Sequence, residues 1–392
     1  MLAAEVVPVS VTAANGFTAS GVAAGIKPSG TPDVALIVNH GPLRAAAGVF
    51  TGNRIKAAPV LWSQQVLRAG KVSAVVLNAG NANACTGALG FQHTHRTAEE
   101  VGALLDESSA EVAVCSTGII GEYLDIEKLV LGVREARRAL SPTGGEAAAR
   151  AIMTTDTVPK QAVVASPAGW TIGGMAKGAG MLAPALATML VVLTTDAVIE
   201  AAELDLALRS ATKTTFDRID SDGCMSTNDT VLLLASGASG VQPDATEFAA
   251  AVQRVCADLA SQLIADAEGA SKHIAIEVVG AASEEDALDV ARAVSRSNLF
   301  KCAMHGQDPN WGRVLSAVGT TNATFDDFNI DVALNGVWVC RSSTIGADKT
   351  SVDLSGRGID VTIDLHAGPA SARLLTTDLT ADYVHENSAY TT

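Results

Sequence analysis

A threonine that follows a small residue, at the end of a stretch broken by glycine and proline, can act on its own chain. Residues 177–190 read Lys-Gly-Ala-Gly-Met-Leu-Ala-Pro-Ala-Leu-Ala-Thr-Met-Leu. The chemistry centres on the step from Ala187 to Thr188. The Thr188 hydroxyl can attack the Ala187 carbonyl to form an ester, which water then hydrolyses. Such a cut frees the Thr188 α-amino group, whose ordinary pKa is about 7.7–8.0. Near neutral pH that amine can take a proton from its own hydroxyl, so one residue supplies both nucleophile and base. Ala-Thr is a common dipeptide, and the local pattern alone also describes the start of an ordinary buried strand.

Other residues suit the same reaction. Thr117 and Gly118 follow an apolar run, in Ser-Thr-Gly-Ile-Ile-Gly. A glycine lets its backbone N–H approach a ligand closely, and the neighbouring hydroxyl offers a second donor. Two donors aimed at one point form an oxyanion hole, each worth roughly 2.7–4 kcal/mol. Read from the residues alone, a strand-to-helix turn capped by the threonine is the alternative. Lys177 stands just before Gly-x-Gly, but a phosphate loop places the glycines first and the lysine after them. A nucleotide site is therefore not expected; a lysine beside the scissile region can instead pair with a substrate carboxylate. Thr154, in Met-Thr-Thr-Asp-Thr, is either a substrate ligand or a turn cap. Glu268 lies just past a long helix, where the dipole disfavours an acid; it suits a cationic amine, or is simply an exposed glutamate. Asn387 and Thr392 fall in the terminal His-Glu-Asn-Ser-Ala-Tyr-Thr-Thr, a kind of segment that is often disordered.

Several blocks, in order, resemble the ornithine acetyltransferase family, also called glutamate N-acetyltransferase. They are Asn78–Gly87, Ser116–Gly121, Met153–Thr157, the Lys177–Leu190 segment, Ser226–Thr230, Asp308–Arg313 and His385–Tyr390. Together they span nearly the whole chain. The resemblance implies autocleavage between Ala187 and Thr188 and ping-pong transfer of acetyl from N-acetylornithine to glutamate through Thr188. It assigns Thr117 and Gly118 to the oxyanion hole, and Thr154, Lys177, Thr188, Glu268, Asn387 and Thr392 to substrate binding. It implies no prosthetic group and no metal, with acetyl-CoA left open as a further acetyl donor. The fold it implies is an αββα-type sandwich core with a C-terminal α/β region. Residues 1–187 and 188–392 would be the two fragments, assembling as α2β2 or larger. Cys224-Met225 departs from the smaller or acidic residues expected before Ser-Thr-Asn-Asp, and no chemical role is apparent for Asp308–Arg313 beyond a proline turn with Trp311 packing. The rival within enzymes is an N-terminal-nucleophile aminopeptidase or amidase, in which water takes the acyl group. A different class altogether is an uncleaved regulatory or scaffold protein.

Composition narrows the class. In 392 residues, 48% are apolar and only 4% aromatic, which suits sizeable cores built by close helix-on-sheet packing. The formal charge is −15 and the pI about 4.8. Nucleic-acid binding needs a basic stripe, and nothing is denser in base than Arg134–Arg138. Six scattered cysteines, with no Cys-x-x-Cys, read as reduced and buried rather than as a disulfide framework. His93-x-His95 reads as a solvent-facing approach to a helix rather than as a metal site. Residues 178–195 carry no charge, yet Gly178, Gly180 and Pro184 make them a poor membrane span. The N-terminus has no basic, then apolar, signal pattern, so the cytoplasm is expected.

The elements that must position these residues follow from periodicity. Val34–Val38, Ala74–Leu77 and Glu111–Cys115 read as short buried strands. Thr97–Leu105 and Ile126–Ala139 have helical spacing, and the residues after Thr188 form a core strand. Leu204–Thr215 is helical. Asp244 opens a helix with Glu247 as a capping box and Phe248, Val252, Val255, Leu259 and Leu263 along one face. Ser283 and Asp286 start another helix ending near Arg296. Asn335-Gly336 between Ile330–Leu334 and Val337–Cys340 predicts a hairpin, and Ile359–Leu365 alternates as a strand. The class is α/β or α+β, in layers.

Overall fold

The computed structural model describes residues 9–183 and 189–389. Ala187, Thr188 and Thr392 lie outside the described residues. The first half alternates strand and helix: β1 (Phe17–Val22), β2 (Val34–Asn39), β3 (Ala45–Phe50), α1 (Ala58–Val66), β4 (Ala74–Asn81), α2 (Gly87–Leu105) and β5 (Val112–Ile119). It continues with α3 (Ile126–Arg138), α4 (Gly145–Ala151), β6 (Lys160–Ala165) and β7 (Thr171–Lys177). Next come β8 (Leu190–Thr195), α5 (Ala201–Thr214), β9 (Thr230–Ala235) and α6 (Ala245–Ala265). The C-terminal region holds β10 (His273–Ala281), α7 (Glu284–Ser295), α8 (Asn298–His305), α9 (Trp311–Val318) and β11 (Asp331–Leu334). It ends with β12 (Val337–Arg341), β13 (Thr344–Ile345), β14 (Gly358–Asp364), β15 (Ala370–Thr377) and α10 (Ala381–Ala389).

Two sheets stack in the core, with strand orders β1-β2-β4-β5 and β3-β9-β8-β7-β6. Strand side chains alternate between faces, and that alternation builds the layers. Leu190, Val192, Leu232 and Leu234 share a buried cluster with Val75, Leu77 and Val114 of the first sheet. Their neighbours Val191, Leu193, Val231 and Leu233 point the other way, into a cluster with Leu204 and Leu208 of α5 and Phe248, Val255 and Leu259 of α6. Helices α1, α3 and α4 pack on the first sheet. The result is the expected helix–sheet–sheet–helix sandwich. In the second sheet β8 pairs antiparallel with β7 and parallel with β9. The sheet therefore interleaves strands from both sides of the Ala187–Thr188 step.

A third sheet, of order β13-β12-β11-β14-β10-β15, closes on α7, α8 and α9 around Ile276, Val290, Phe300, Val332 and Val361. Its hairpin turns at Asn335 and Gly336, with φ +46° and +80°, the pair of left-handed residues that a two-residue type I′ turn needs. Asn310 caps α9 by accepting the Arg313 N–H, and Trp311 packs against this core. That accounts for the Asp308–Arg313 block as structure.

Most element starts carry their own signals. Asp125 caps α3 by accepting the Lys128 N–H, and Arg137 and Arg138 sit in its last turn, where the helix dipole favours them. Three expectations need correction, and one alternative falls. Helix α2 begins at Gly87, ten residues before Thr97, because the glycines in its first turns disguise the periodicity; His93 and His95 lie inside it. Glu247 does not complete a capping box; Asp244 caps α6 alone, and Glu247 accepts a hydrogen bond from Ser166 instead. Cys85, Cys224 and Cys302 are exposed, whereas Cys115, Cys256 and Cys340 are buried. Thr117 caps no turn, since β5 runs on to Ile119. Arg134 and Arg138, meanwhile, are taken up by exposed pairs with Glu100 and Glu135. No described helix is long and apolar enough to cross a membrane.

Candidate active site

The sheet ends converge on one place. β5 runs parallel to β4 up to a register irregularity at Gly80 and Asn81, opposite Gly118 and Thr117. Such irregularities re-aim side chains at strand ends. Gly118 has φ +131°, and a Cβ there would lie 2.3 Å from the Gly80 carbonyl carbon, so only glycine fits. Thr117 is 2% exposed, on the strand beside it.

Lys177, the last residue of β7, stands opposite Leu190 at the start of β8. It is fully buried, at 1% exposed. Its Nζ donates to Thr154 Oγ1 at 2.7 Å and to Thr117 Oγ1 at 3.4 Å, and lies 3.7 Å from Asp156 Oδ2. Because the Thr117 oxygen accepts from the ammonium, its own O–H is left to point elsewhere as a donor. Burial pushes the Lys177 ammonium down from its ordinary value, Asp156 opposes this, and Lys160 adds to it. Asp156 also accepts from Lys160 at 2.7 Å and from the Gly178 N–H at 2.6 Å. Burial alone would raise the Asp156 carboxyl; Lys177, Lys160 and these hydrogen bonds bring it down to about 2. Lys160 in turn reaches Asp266 at 2.6 Å. Two lysines and two aspartates thus lock the floor of the site.

Glu268 brings the opposite charge. Its Oε1 accepts from Thr155 Oγ1 at 2.6 Å, so it is anchored beside Thr154. Its backbone N–H donates to the Ala179 carbonyl at 2.9 Å, and a Cβ on Gly180 would fall 2.4 Å from its Oε2. The glycines after Lys177 therefore let the loop pass close to this carboxylate. Asn387, on α10, donates from Nδ2 to Glu268 Oε2 at 3.0 Å, which folds the C-terminal helix back onto the site. Thr117, Gly118, Thr154, Lys177, Glu268 and Asn387 are brought together; Thr188 and Thr392 lie outside the described residues.

Sequence reasoning did not single out what stands beside Met189, the residue bonded to Thr188. The Met189 N–H donates to Asp229 Oδ1 at 3.2 Å. Next to it, Asn228 Nδ2 donates to the carbonyls of Ala82 at 2.6 Å and Ser116 at 2.8 Å, tying this corner to the strand that carries Thr117. The block Ser226–Thr230 was visible, but nothing local distinguishes these roles from ordinary turn chemistry.

The arrangement offers an ammonium and two hydroxyls for a carboxylate or a developing oxyanion, faced by one carboxylate suited to an amine. Residues 18–392 match the ArgJ family model. The chain is 66% identical over 381 residues to the arginine biosynthesis bifunctional protein ArgJ of Streptomyces avermitilis, covering 97% of this chain and 99% of that protein. It is 56% identical over 387 residues to the protein of the same name from Mycobacterium leprae, covering 97% and 95%. A solved structure of ornithine acetyltransferase from Mycobacterium tuberculosis, complexed with ornithine, is 55% identical with a TM-score of 0.45, covering 46% of this chain and 96% of that one.

Proposed function

Because the chain belongs to the ArgJ family, we propose that it is the acetyltransferase of arginine biosynthesis that moves acetyl from N-acetylornithine to glutamate by way of an acetyl ester on Thr188. The observation that carries this reading is the buried Lys177 ammonium, hydrogen-bonded to Thr154 and Thr117 and set across from Glu268. A donor and an acceptor that are both α-amino acids each bring a carboxylate for Lys177. The side-chain ammonium of the ornithine half has its counter-charge in Glu268.

In this reading the chain cuts itself between Ala187 and Thr188. The freed amine takes the proton of the Thr188 hydroxyl as it attacks the N-acetyl carbonyl. Thr117 and Gly118 donate to the oxygen that becomes negative. The tetrahedral adduct collapses, ornithine leaves, and the glutamate amine attacks the ester by the reverse steps. No prosthetic group enters; the two fragments stay paired, as α2β2 or larger, in the cytoplasm. Intact mass under denaturing conditions should give two fragments meeting between Ala187 and Thr188, and Thr188→Ala should give one uncut, inactive chain. Acetyl-enzyme should form with N-acetylornithine alone and be discharged by glutamate far faster than by water, with parallel double-reciprocal plots; acetyl-CoA is assayed alongside as a second donor. Equal decay with and without glutamate would make the protein a hydrolase instead.

A further inference from the structure

Four lysines are buried among the described residues: Lys160, Lys177, Lys272 and Lys301. Three have their charge accounted for. Lys160 bridges Asp156 and Asp266, and Lys177 reaches Asp156, Thr154 and Thr117. Lys272 Nζ donates to the carbonyls of Leu354, Ser355 and Gly356. Lys301, on α8 and 5% exposed, donates among the described residues only to the Ser221 carbonyl, and no described carboxylate stands within 4.0 Å of its Nζ. An ammonium carries three donors, and a buried charge is costly unless it is paired and hydrogen-bonded. Lys301 lines a cavity of about 260 Å³ between the sandwich and the C-terminal region, together with Ser221, Asp222, Arg296, Asn298 and Tyr383. Sites for drug-sized ligands run to about 300–1,000 Å³, so this one suits a smaller molecule. None of the residues gathered around Lys177 and Glu268 lines it.

The lining holds unspent hydrogen-bonding capacity of both signs. Arg296 gives its Nε to Asp220 at 2.7 Å, and its two terminal amino groups make no hydrogen bond among the described residues. Asp378, also in the wall, is filled by the N–H groups of Ser271 and Lys272 and by the side chains of Ser271 and His305. Asp222 is not filled. Its two oxygens accept one backbone N–H each, from Cys224 at 3.0 Å and from Met181 at 2.8 Å, and each can accept another donor. We propose that this cavity binds a free α-amino acid, apart from the acetyl-transfer site, with the carboxylate on Lys301 and Arg296 and the ammonium on Asp222. A phosphate or a dicarboxylate would meet the Asp222 and Asp378 carboxylates with no positive charge of its own to offset them. Burial pushes the Lys301 ammonium down, and Asp222, Asp220 and Asp378 oppose this from a distance; a bound carboxylate opposes it at contact. The cavity also borders the loop that runs from Lys177 past Glu268. Ser221, which accepts from Lys301, donates its N–H to the Leu182 carbonyl at 2.5 Å, and Asp222 holds the Met181 N–H.

Full-length wild-type, Lys301→Met and Lys177→Met proteins are titrated by calorimetry with L-glutamate, L-ornithine and L-arginine. Glutarate and putrescine, which each lack one of the two charges, are titrated alongside. At least one of the amino acids should occupy one site per chain that Lys301→Met weakens by about 10- to 150-fold. Lys177→Met should keep that site, because Lys177 does not line it. Glutarate and putrescine should bind there at least about tenfold more weakly, each lacking one charged hydrogen bond. A cooperative melt checks that Lys301→Met is folded. Arg296→Met, at the half-exposed rim, should weaken the same site by about tenfold and takes its place if Lys301→Met does not fold. Binding that neither lysine 301 nor Arg296 affects, binding abolished by Lys177→Met, or no binding at millimolar concentration overturns the proposal. Glutarate binding as tightly as glutamate overturns it too, by making the cavity a site for bare carboxylates. The outcome is independent of the acetyl-transfer reading: a site that depends on Lys301 in a protein with no acetyltransferase activity upholds this proposal while that reading falls.

Discussion

Lys160→Met and Lys177→Met remove the two ammonium groups that share Asp156, and the geometry divides their costs differently between stability and turnover. Lys160 bridges Asp156 at 2.7 Å and Asp266 at 2.6 Å, with the lysine side chain at 0% exposure. Its loss leaves Asp156 the more distant Lys177 at 3.7 Å and the N–H groups of Gly178 and Thr154. Breaking a buried pair by deleting one partner costs about 3–5 kcal/mol. Because Asp156 keeps a second cation, the lower end, about 3 kcal/mol, is expected for Lys160→Met. Lys177→Met leaves Asp156 its closer partner and costs about 1–2 kcal/mol. Turnover should reverse the order. A charged hydrogen bond to a substrate carboxylate is worth about 1.5–3 kcal/mol, or roughly 10- to 150-fold in kcat/KM. Lys177→Met should lose that factor for N-acetylornithine and for glutamate alike, while mature Lys160→Met keeps kcat/KM within about threefold. Urea unfolding, read as a shifted midpoint at unchanged slope, and kcat/KM for both substrates measure the two quantities. The reasoning fails if Lys177→Met proves the less stable of the two, or if Lys160→Met loses tenfold or more in kcat/KM while its unfolding midpoint stays at the wild-type value.

If Thr117 donates to the oxyanion as proposed, Thr117→Ala should lower kcat of mature protein about 10²–10³-fold with a smaller change in KM; an unchanged kcat would reduce Thr117 to a packing role. The Asp156 carboxyl is held at about 2 against an ordinary 3.8. A depressed carboxyl contributes stability that is fully present above its unfolded value and lost as pH falls through its folded one. Between pH 4 and 2 this group should cost the fold on the order of 2 kcal/mol, and Asp156→Asn should flatten that part of the urea-midpoint profile.

The parts of the molecule legible in the sequence are those whose cause is local. Val34–Val38 and Ala74–Leu77 are continuous apolar runs because the strands they form are buried on both faces. Asp244 and Ser283 announce helices because a cap needs only its next three residues. Lys177 was readable as a carboxylate partner but not as a strand end, since Gly173 and Gly174 mask the alternation of β7. Its coupling to Asp156 and Thr154 spans about twenty residues, and that of Lys160 to Asp266 spans 106. Pairings at that range leave no period in the chain. Asp229 shows the same limit. Its side chain meets the Met189 N–H across 40 residues of sequence.

The strand order β3-β9-β8-β7-β6 also sets a clock. Residues 1–187 on their own would hold β3 and β7 with the places of β8 and β9 empty between them, a gap of about 14 Å at the usual strand spacing of about 4.8 Å. Each fragment made separately would show raw ladder edges on both sides of that gap, the kind of edge that seeds aggregation. If the chain cuts itself as proposed, a cut between β7 and β8 made after the sheet has zipped would leave β8 laced between β7 and β9. On the proposed cut, the uncut chain would template the pairing of its own halves. Splitting the gene at this point would not yield two soluble subunits that meet later, whereas opening the same bond in the finished fold leaves one cooperative body with a new chain end inside it.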